Sequence, residues 1–208
     1  MTGRPLRVVK LGGSLLDWPG VRAALPAWLS AQPPGASVMV VGGGRLVEVL
    51  RAADRTHGLG TTVSHELAVR AMTVNAHLAA ALWPKARWVE QLRDIRRTLS
   101  EASLVIFDTW SYLHDEHSAA LLPKCWALTS DSIAASVAIA LGARELVLLK
   151  SALPSDASRH DAANGGYVDE LFPEISADIE FVRCVDLSAD GFPEIALHAS
   201  TDAQFHHQ

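Results

Sequence analysis

Three short segments carry the residue types from which a phosphate-binding site can be built. They are Lys10-Leu11-Gly12-Gly13-Ser14, Gly42-Gly43-Gly44 and Thr129-Ser130-Asp131-Ser132. Glycine lets the backbone approach a phosphate closely, and a lysine can neutralise a phosphoryl group during its transfer. We therefore expect Lys10 to act on the phosphoryl group, and Gly12, Gly13 and Ser14 to contact the ligand. A tight turn with a surface lysine is the alternative interpretation.

The triple glycine is the stronger of the two glycine signals. Gly42, Gly43 and Gly44 follow an apolar run and precede a helical pattern. Several unhindered N–H groups at a helix N-terminus form an anion-binding site. A flexible turn is the alternative, but an ordinary turn rarely needs three residues that each lose so much chain entropy on folding.

Asp131 and Lys150 are candidates for charge pairing across a crevice. Asp131 with Ser130 and Ser132 is explained by helix capping when the segment is taken alone. In a functional interpretation, Asp131 holds the lysines in place, Lys150 at a strand end is its partner, and the two serines contact substrate. Lys150 as a solvated strand end is equally compatible with the sequence. His65 is a further candidate substrate contact, with a packed helix-start histidine as its alternative.

Other chemistries find little support in the sequence. The crowded residues His114, Asp115, Glu116 and His117 have a local sequence typical of a solvated loop, so we expect no metal site there. The sequence has neither a G-x-S-x-G elbow nor a C-x-x-C pair, so it does not favour acyl transfer or redox chemistry.

Apolar runs and helical spacing predict the elements that must position these residues. Strands are expected at residues 6–11, 37–41, 103–107, 125–129 and 145–149, with weaker ones at 181–185 and 194–198. Helices are expected at residues 21–31, 44–58, 62–82, 90–99 and 130–141. The last helix would have Ser130 or Asp131 as its N-cap and Gly142 as its stop, and Ser151 to Gly166 would form a long loop.

Alternating strands and helices predict a three-layer αβα sandwich with a mostly parallel central sheet. The carboxyl ends of parallel strands meet at one edge, so the three segments would surround a single crevice. A chain of 208 residues is long enough for one domain with a full core.

Composition narrows the class of partner. A net charge of −5 without a dense basic block argues against nucleic acid. No apolar run reaches the roughly 18–20 residues that a membrane span needs. Cys125 and Cys184 are the only cysteines, which does not make a disulfide framework and favours a reducing cytoplasm.

The three segments together resemble the amino acid kinase family, and the resemblance extends over about residues 6–150. Members share K-x-G-G-S after the first strand, a second glycine loop and T-x-D before a helix, here Lys10 to Ser14, Gly42 to Gly44 and Thr129 to Asp131. The resemblance implies that ATP with Mg²⁺ phosphorylates a small phosphate-bearing substrate. Lys10 would stabilise the transferring group, Asp131 would organise the lysines, and the triple glycine would cradle the acceptor.

Within that family, the chain is most similar to the small archaeal-type kinases of methanofuran biosynthesis. The similarity rests on Ser64-His65-Glu66-Leu67-Ala68 with Met72, and on Trp126 to Ser132. It implies phosphorylation of an aminomethylfuran-methyl phosphate to a diphosphate in one-carbon cofactor synthesis, by a homodimer. Residues 1–125 would form the acceptor side of a single domain, and residues 126–208 a shortened nucleotide side.

One segment departs from the family pattern. Members follow the strand at 145–149 with T-D-x-x-G-[IVL]-[YF], which helps to bind the nucleotide, whereas this chain has Leu149 to Asp156 without that motif. A non-catalytic member that binds a ligand or partner is therefore the alternative. A kinase for another phosphate acceptor, such as a nucleoside monophosphate or an isoprenoid phosphate, is a third possibility.

Overall fold

Seven strands form one sheet in a computed structural model that describes residues 5–115 and 122–199. The strands are β1 (Leu6–Leu11), β2 (Ala36–Val41), β3 (Arg87–Val89), β4 (Leu104–Phe107), β5 (Glu145–Lys150), β6 (Phe181–Asp186) and β7 (Glu194–Ala196). Their order across the sheet is β3-β4-β2-β1-β5-β6-β7, and every neighbouring pair is parallel except β6 and β7.

The chain reverses its winding direction at β1, which lies between β2 and β5. In open α/β sheets, ligands bind outside the carboxyl ends of strands at such a switch point. The first glycine segment leaves β1 there, and the triple glycine leaves β2 beside it. The topology thus brings two of the three predicted segments to one edge.

Eight α-helices and one 3₁₀ helix connect these strands within the described ranges. The helices are α1 (Val21–Ala31), α2 (Gly44–His57), α3 (Thr61–Leu82), α4 (Leu92–Thr98), α5 (Trp110–His114), α6 (Ser130–Leu141), α7 (Arg159–Asn164) and α8 (Phe172–Ile175), and the 3₁₀ helix spans Gly13–Asp17. None of these helices has the length and apolarity that crossing a membrane would require.

Two apolar clusters lie on opposite faces of the sheet and make three layers, as predicted. Alternate strand residues point to opposite faces, so Val8 and Val38 contact the cluster under α6, whereas Val9 and Met39 contact the cluster under α1. Lys10 has the same parity as Val8. Its side chain is therefore directed to the face on which α6 packs.

The predicted strand at 125–129 is wrong. Residues 125–127 form a bend and a turn, with the Leu128 amide donating to the Cys125 carbonyl at 3.3 Å, and β5 takes the place beside β1. Of this run only Leu128 is buried. A short apolar run does not by itself distinguish a strand from an apolar segment that covers a cavity.

Two further predictions need correction. Thr129 is the N-cap of α6, because its side-chain oxygen accepts from the Asp131 amide, whereas Ser130 and Asp131 lie inside the helix. The predicted loop Ser151 to Gly166 contains α7, which Ser158 caps. Buried Arg159 fixes this region by donating to the carbonyls of Ser176 and Ile179 and of Leu197.

Candidate active site

A buried carboxylate between two ammonium groups lies at the carboxyl edge of the sheet. Lys10 Nζ lies 2.9 Å from Asp131 Oδ1, and Lys150 Nζ lies 3.0 Å from Asp131 Oδ2. Lys10 is on β1, Lys150 ends β5, and Asp131 is in the first turn of α6. The two strands are neighbours and both lysines face α6, so the pleat places all three groups together.

The charges of this cluster shift the acidities of its members. Burial raises the pKa of Asp131, but the positive charges of Lys10 and Lys150 outweigh it, so the pKa lies below its ordinary value. Burial, and then the charge of Lys10, lower the pKa of Lys150 despite the opposing attraction of Asp131. With both lysines protonated, the cluster carries one positive charge in excess. Such a cluster attracts an anion into a region of low dielectric.

The N-terminus of α6 is held by a carboxylate that sequence reasoning missed. Asp169 Oδ2 accepts from the Thr129 hydroxyl at 2.7 Å and from the Ser132 amide at 3.1 Å. Asp169 Oδ1 accepts from the Ser132 hydroxyl at 2.5 Å. The Ser132 amide is one of the backbone donors that a helix start leaves without an intrahelical partner. Asp169 thereby fixes the turn of α6 that presents Asp131 to the lysines.

The two glycine turns touch each other through their backbones. A Cβ atom at Gly13 would collide with the backbone of Gly42 and Gly44, and one at Gly44 would collide with that of Gly13. Gly44 has a positive φ of 52°, which glycine adopts without strain. Asn75, buried on α3, holds the second turn by donating to the carbonyls of Gly42 and Gly43 at 2.8 and 2.9 Å.

The N-terminus of α2 differs from that of α6 because no described side chain caps it. The first turn of α2 contains no acidic residue, and Arg45 follows Gly44 directly. The first N–H groups of a helix have no intrahelical acceptor and carry the positive end of its dipole. This helix end can therefore bind an anion through backbone donors.

A cavity of about 800 Å³ joins the charge cluster to the glycine turns. Ten of the predicted site residues line it: Lys10, Gly12, Gly13, Ser14, Gly43, Gly44, His65, Ser130, Asp131 and Lys150. Residues far apart in the sequence therefore share one concave surface. A cavity of this size matches small-molecule ligands.

Two predicted site residues are not among the lining residues. The Gly42 amide donates to the Leu11 carbonyl at 2.9 Å, so this glycine supports the turn rather than the cavity wall. Ser132 is fully buried against Asp169. His65 lines the cavity with a largely buried side chain, and burial lowers its pKa below the usual range. Burial thus favours the neutral form of His65.

The cavity wall after β5 is organised around Lys150 and Tyr167. The Lys150 ammonium donates to the Tyr167 carbonyl and lies 4.2 Å from the centre of the Tyr167 ring. The Tyr167 hydroxyl donates to the Ala152 carbonyl at 3.1 Å. Gly166, Tyr167 and Asp169 thus form the cavity wall on this side.

The opposite wall is formed by α2 and the turn before α6. The Trp126 indole N–H donates to Asp54 Oδ2 at 2.9 Å, and the Arg51 guanidinium lies 5.2 Å from the centre of the indole ring. Arg51 and Trp126 both line the cavity. Sequence reasoning assigned neither residue to the site.

Sequence signals existed for only some of the missed residues. Asn75 is a polar residue on the apolar face of α3, beside Met72 and Ala76, and such a residue marks a specific buried hydrogen bond. Tyr167 and Asp169 follow a polar segment without periodicity, and only the glycine pair before them marks a turn. Their role depends on contacts with residues far away in the sequence.

The structure describes only His114 and Asp115 of the crowded residues at 114–117. Glu116 and His117 lie outside the described residues. His114 stacks on Trp110 with ring centres 3.9 Å apart, and its Nδ1 lies 2.8 Å from the Trp110 carbonyl oxygen. In residues 5–115 and 122–199, no three or more His, Cys, Asp or Glu side chains are grouped so that they could hold a metal ion.

Comparison with known proteins assigns the family. Residues 5–152 match the model of the amino acid kinase family, and the chain therefore belongs to that family. The [5-(aminomethyl)furan-3-yl]methyl phosphate kinase of Methanocaldococcus jannaschii is 27% identical over 145 residues, which cover 69% of this chain. The match spans 64% of that relative, just under two thirds of its length.

Solved structures agree on the fold. The uridylate kinase of Archaeoglobus fulgidus superimposes with a TM-score of 0.61 at 16% identity, covering 86% of this chain and 89% of its own. The UMP kinase of Ureaplasma parvum gives a TM-score of 0.68 at 11% identity, covering 91% and 92% respectively. At such identities the likeness establishes the amino acid kinase fold, in agreement with the fold predicted from the sequence.

Proposed function

We propose that this member of the amino acid kinase family transfers a phosphoryl group from ATP to a small acceptor that already bears a phosphate. The observation that carries the proposal is the buried Lys10–Asp131–Lys150 cluster, which lines the same cavity as the uncapped N-terminus of α2. The cluster supplies positive charge, and the N-terminus of α2 supplies backbone N–H donors.

Phosphoryl transfer needs positioning and charge stabilisation rather than a covalent catalyst. In the proposed mechanism, Lys10 and Lys150 stabilise negative charge that develops on the transferring group, and Asp131 keeps both ammonium groups aimed at it. Gly13, Gly44 and the first amides of α2 hold the acceptor phosphate in line. The attacking oxygen belongs to that phosphate, so the product would be a diphosphate.

The acceptor we favour is an aminomethylfuran-methyl phosphate, used in one-carbon cofactor synthesis. Support comes from the curated relative and from the charges on the acceptor wall. Asp17 and Glu48 both line the cavity, and either carboxylate could pair with an ammonium group of the acceptor. Residues 1–125 would supply most of this acceptor side, and residues 126–208 most of the nucleotide side.

ATP and Mg²⁺ follow from the family rather than from a protein metal cage. Among the described carboxylates on the cavity wall, Asp131 is occupied by two lysines and Asp169 by the start of α6. Mg²⁺ is commonly bound through substrate phosphates with one or two carboxylates and retained waters. When bound with ATP, the ion would neutralise phosphate charge. The other described carboxylates on the wall are Asp17 and Glu48, and Glu48 lies 3.3 Å from Arg51.

Two measurements test the proposal. A thermal-shift scan with ATP-Mg, ADP and phosphate compounds should show stabilisation, about 2.7 kcal/mol for a ligand at 100 times its dissociation constant. A coupled assay for ADP release should then show turnover with the furan phosphate, and less with uridine monophosphate or isopentenyl phosphate. Binding without ADP release under any of these conditions would falsify the proposed activity.

A non-catalytic ligand-binding role is the second candidate, and the segment after β5 favours it. That segment lacks the T-D-x-x-G motif, and Lys150 is engaged with the Tyr167 carbonyl as well as with Asp131. If the thermal-shift scan shows stabilisation by phosphate compounds but none by ATP or ADP, this second candidate replaces the kinase.

We also propose that the protein forms a homodimer. Val63, Val74 and Leu78 lie along one stripe of α3, and Leu46 and Val49 on α2 are likewise exposed. A second copy packed through these helices would bury them. Light scattering should give twice the chain mass, and Val74→Glu should yield monomers, while Val74→Ala should remain dimeric. A monomeric wild-type protein would contradict the proposal.

A further inference from the structure

A tryptophan at the end of the acceptor wall has no part in the proposed transfer, although two contacts fix its position. Trp126 is half-buried, and its indole N–H donates to Asp54 at 2.9 Å. The Arg51 guanidinium lies 5.2 Å from the ring centre, within the range of a cation–π contact. Asp54 therefore holds the edge of the indole and Arg51 lies over its face, and together they set the orientation of the ring.

The Asp54 carboxylate is itself tied to the backbone. Its Oδ1 accepts from the Gly60 amide at 3.2 Å, and the bond from Trp126 is the largest of the influences that lower the pKa of Asp54. The anchor thus stays ionised at neutral pH and continues to accept from the indole.

Helix geometry places Trp126 at a defined distance from the glycine turns. At a rise of 1.5 Å per residue, Arg51 and Asp54 lie about 10 Å and 15 Å along α2 from Gly44. The contact between Gly13 and Gly44 therefore marks one end of the acceptor wall, and Trp126 marks the other. Both ends line the same cavity.

The wall between these two ends has an apolar side, beside the ion pair of Glu48 and Arg51 on α2. Val47 and Met72 lie beside Gly43, where an added Cβ would meet their side chains, and buried Val69 is on the same face of α3 as Met72. All three line the cavity. An acceptor whose phosphate is held at the glycine turns would thus extend its ring along these side chains and towards the indole.

We propose that Trp126, fixed by Asp54 and Arg51, is a specificity-determining residue that selects acceptors with a flat unsaturated ring at the end of the wall away from the glycine turns. Flat rings stack on an indole in offset or edge-to-face geometry, and saturated chains gain only the contact area. This inference rests on the proposed function for the position of the acceptor phosphate, but it concerns recognition of the acceptor rather than transfer.

The test is calorimetric binding, in the absence of nucleotide, of furfuryl phosphate and of butyl phosphate, which lacks the ring. The wild-type protein should bind furfuryl phosphate about 3–10 times more tightly than butyl phosphate. Trp126→Leu should remove that preference by weakening furfuryl phosphate alone, and Trp126→Phe should keep most of it. Trp88→Leu is the matched control, because Trp88 donates to Glu90 at 3.2 Å and stacks on His77 away from the cavity.

Equal wild-type affinities for the two probes would overturn the inference even if Trp126→Leu did not fold. The inference would also be overturned if Trp126→Leu kept the preference for furfuryl phosphate, or if Trp88→Leu lost it. The outcome is separable from that of the proposed function. If the protein prefers furfuryl phosphate but releases no ADP, the proposed kinase activity is rejected and the ring site is kept. If it releases ADP but shows no preference, the ring site is rejected and the kinase activity is kept. Failure of both probes to bind would reject this acceptor wall altogether.

Discussion

Two helices begin at the same cavity, but side chains cap the N-terminus of α6 and no described side chain caps that of α2. The α6 terminus is capped by Thr129 and bound by Asp169, which accepts from the Thr129 and Ser132 amides. The α2 terminus has Gly43 and Gly44, a positively charged neighbour in Arg45, and no cap from a described side chain. Both ends carry the positive end of a helix dipole, and in both the first N–H groups have no acceptor within the helix.

The difference indicates separate tasks for the two ends. An occupied helix end is rigid, so α6 can hold Asp131 steady between two lysines. An open helix end keeps its donors for a ligand, so α2 can bind and release a phosphate. Variants of each end should therefore fail in different ways: changes around α6 should reduce turnover, and changes around α2 should weaken acceptor binding.

The largest effect is expected from Lys10→Ala. Loss of a charge aimed at the transition state should lower kcat about 10²–10³-fold, or about 2.7–4 kcal/mol of barrier. Asp131 keeps Lys150 as a partner, so the fold should persist, as a melting curve can show. Lys85→Ala, on an exposed turn after α3, serves as the control. Unchanged turnover in Lys10→Ala would remove Lys10 from the mechanism.

Gly44→Ala should hinder phosphate binding at the N-terminus of α2. The new Cβ would collide with the Gly13 backbone at a positive φ, so we expect a loss of about 2–4 kcal/mol of unfolding free energy and a higher KM for the acceptor. Gly58→Ala is the matched control, since Gly58 also has positive φ but open space around it. It should cost only about 1–2 kcal/mol and leave KM unchanged. Equal effects of the two variants on KM would contradict the account.

Asp169→Asn should weaken the hydrogen bonds that hold the N-terminus of α6. The amide can accept fewer of the Thr129 and Ser132 donors, so we expect a loss of about 0.5–2 kcal/mol of unfolding free energy. The kcat should fall several-fold while the KM for the acceptor stays constant, because Asp131 loses its fixed position. Asp161→Asn, exposed in the first turn of α7, should change neither. A rise in the acceptor KM for Asp169→Asn would place Asp169 at the acceptor instead.

The smallest effect concerns pH. The pKa of Lys150 is lowered by burial, so kcat should begin to fall on the alkaline side below the ordinary lysine value of 10.5. In that same window the unfolded chain binds the proton more tightly, so the contribution of Lys150 to stability should rise with pH. Lys150→Arg should move the alkaline fall in kcat upwards, because arginine stays charged. An identical alkaline limb in this variant would assign the titration to another group.

Acid should lower the free energy of unfolding by protonating Asp131. Its pKa is lowered in the folded protein, so the stabilisation that it provides is present above the ordinary aspartate value and is lost as pH falls through the folded value. Urea titrations from pH 7 down to pH 3 should show that loss in the wild type. Asp131→Asn should be less stable at pH 7 and less sensitive to acid over the same range.

Local signals were sufficient to predict the elements that position the site. The strands before Gly12 and Gly42 are apolar runs that end in glycine, and α3 has a long apolar period that Pro84 stops, so each could be read within its own segment. The parallel sheet then brought Lys10 and Lys150 together, because neighbouring strand ends meet at one edge.

The remaining features depend on distant contacts. The segment 125–129 was mistaken for a strand because its apolar side chains cover a cavity rather than pair with a neighbour. Asp169 and Trp126 acquire their roles from partners about forty and seventy positions away, Thr129 and Asp54. No period or spacing in the sequence encodes such pairs.

The most direct test of the account is an amide-resolved NMR titration of the wild-type protein with inorganic phosphate and then with ADP. We expect phosphate to shift the amides of Gly13, Gly44 and Arg45, because that helix end is open. The Ser132 amide should move little, since Asp169 already occupies it. Shifts at the start of α6 with none at the start of α2 would contradict the central claim that α2 holds the anion.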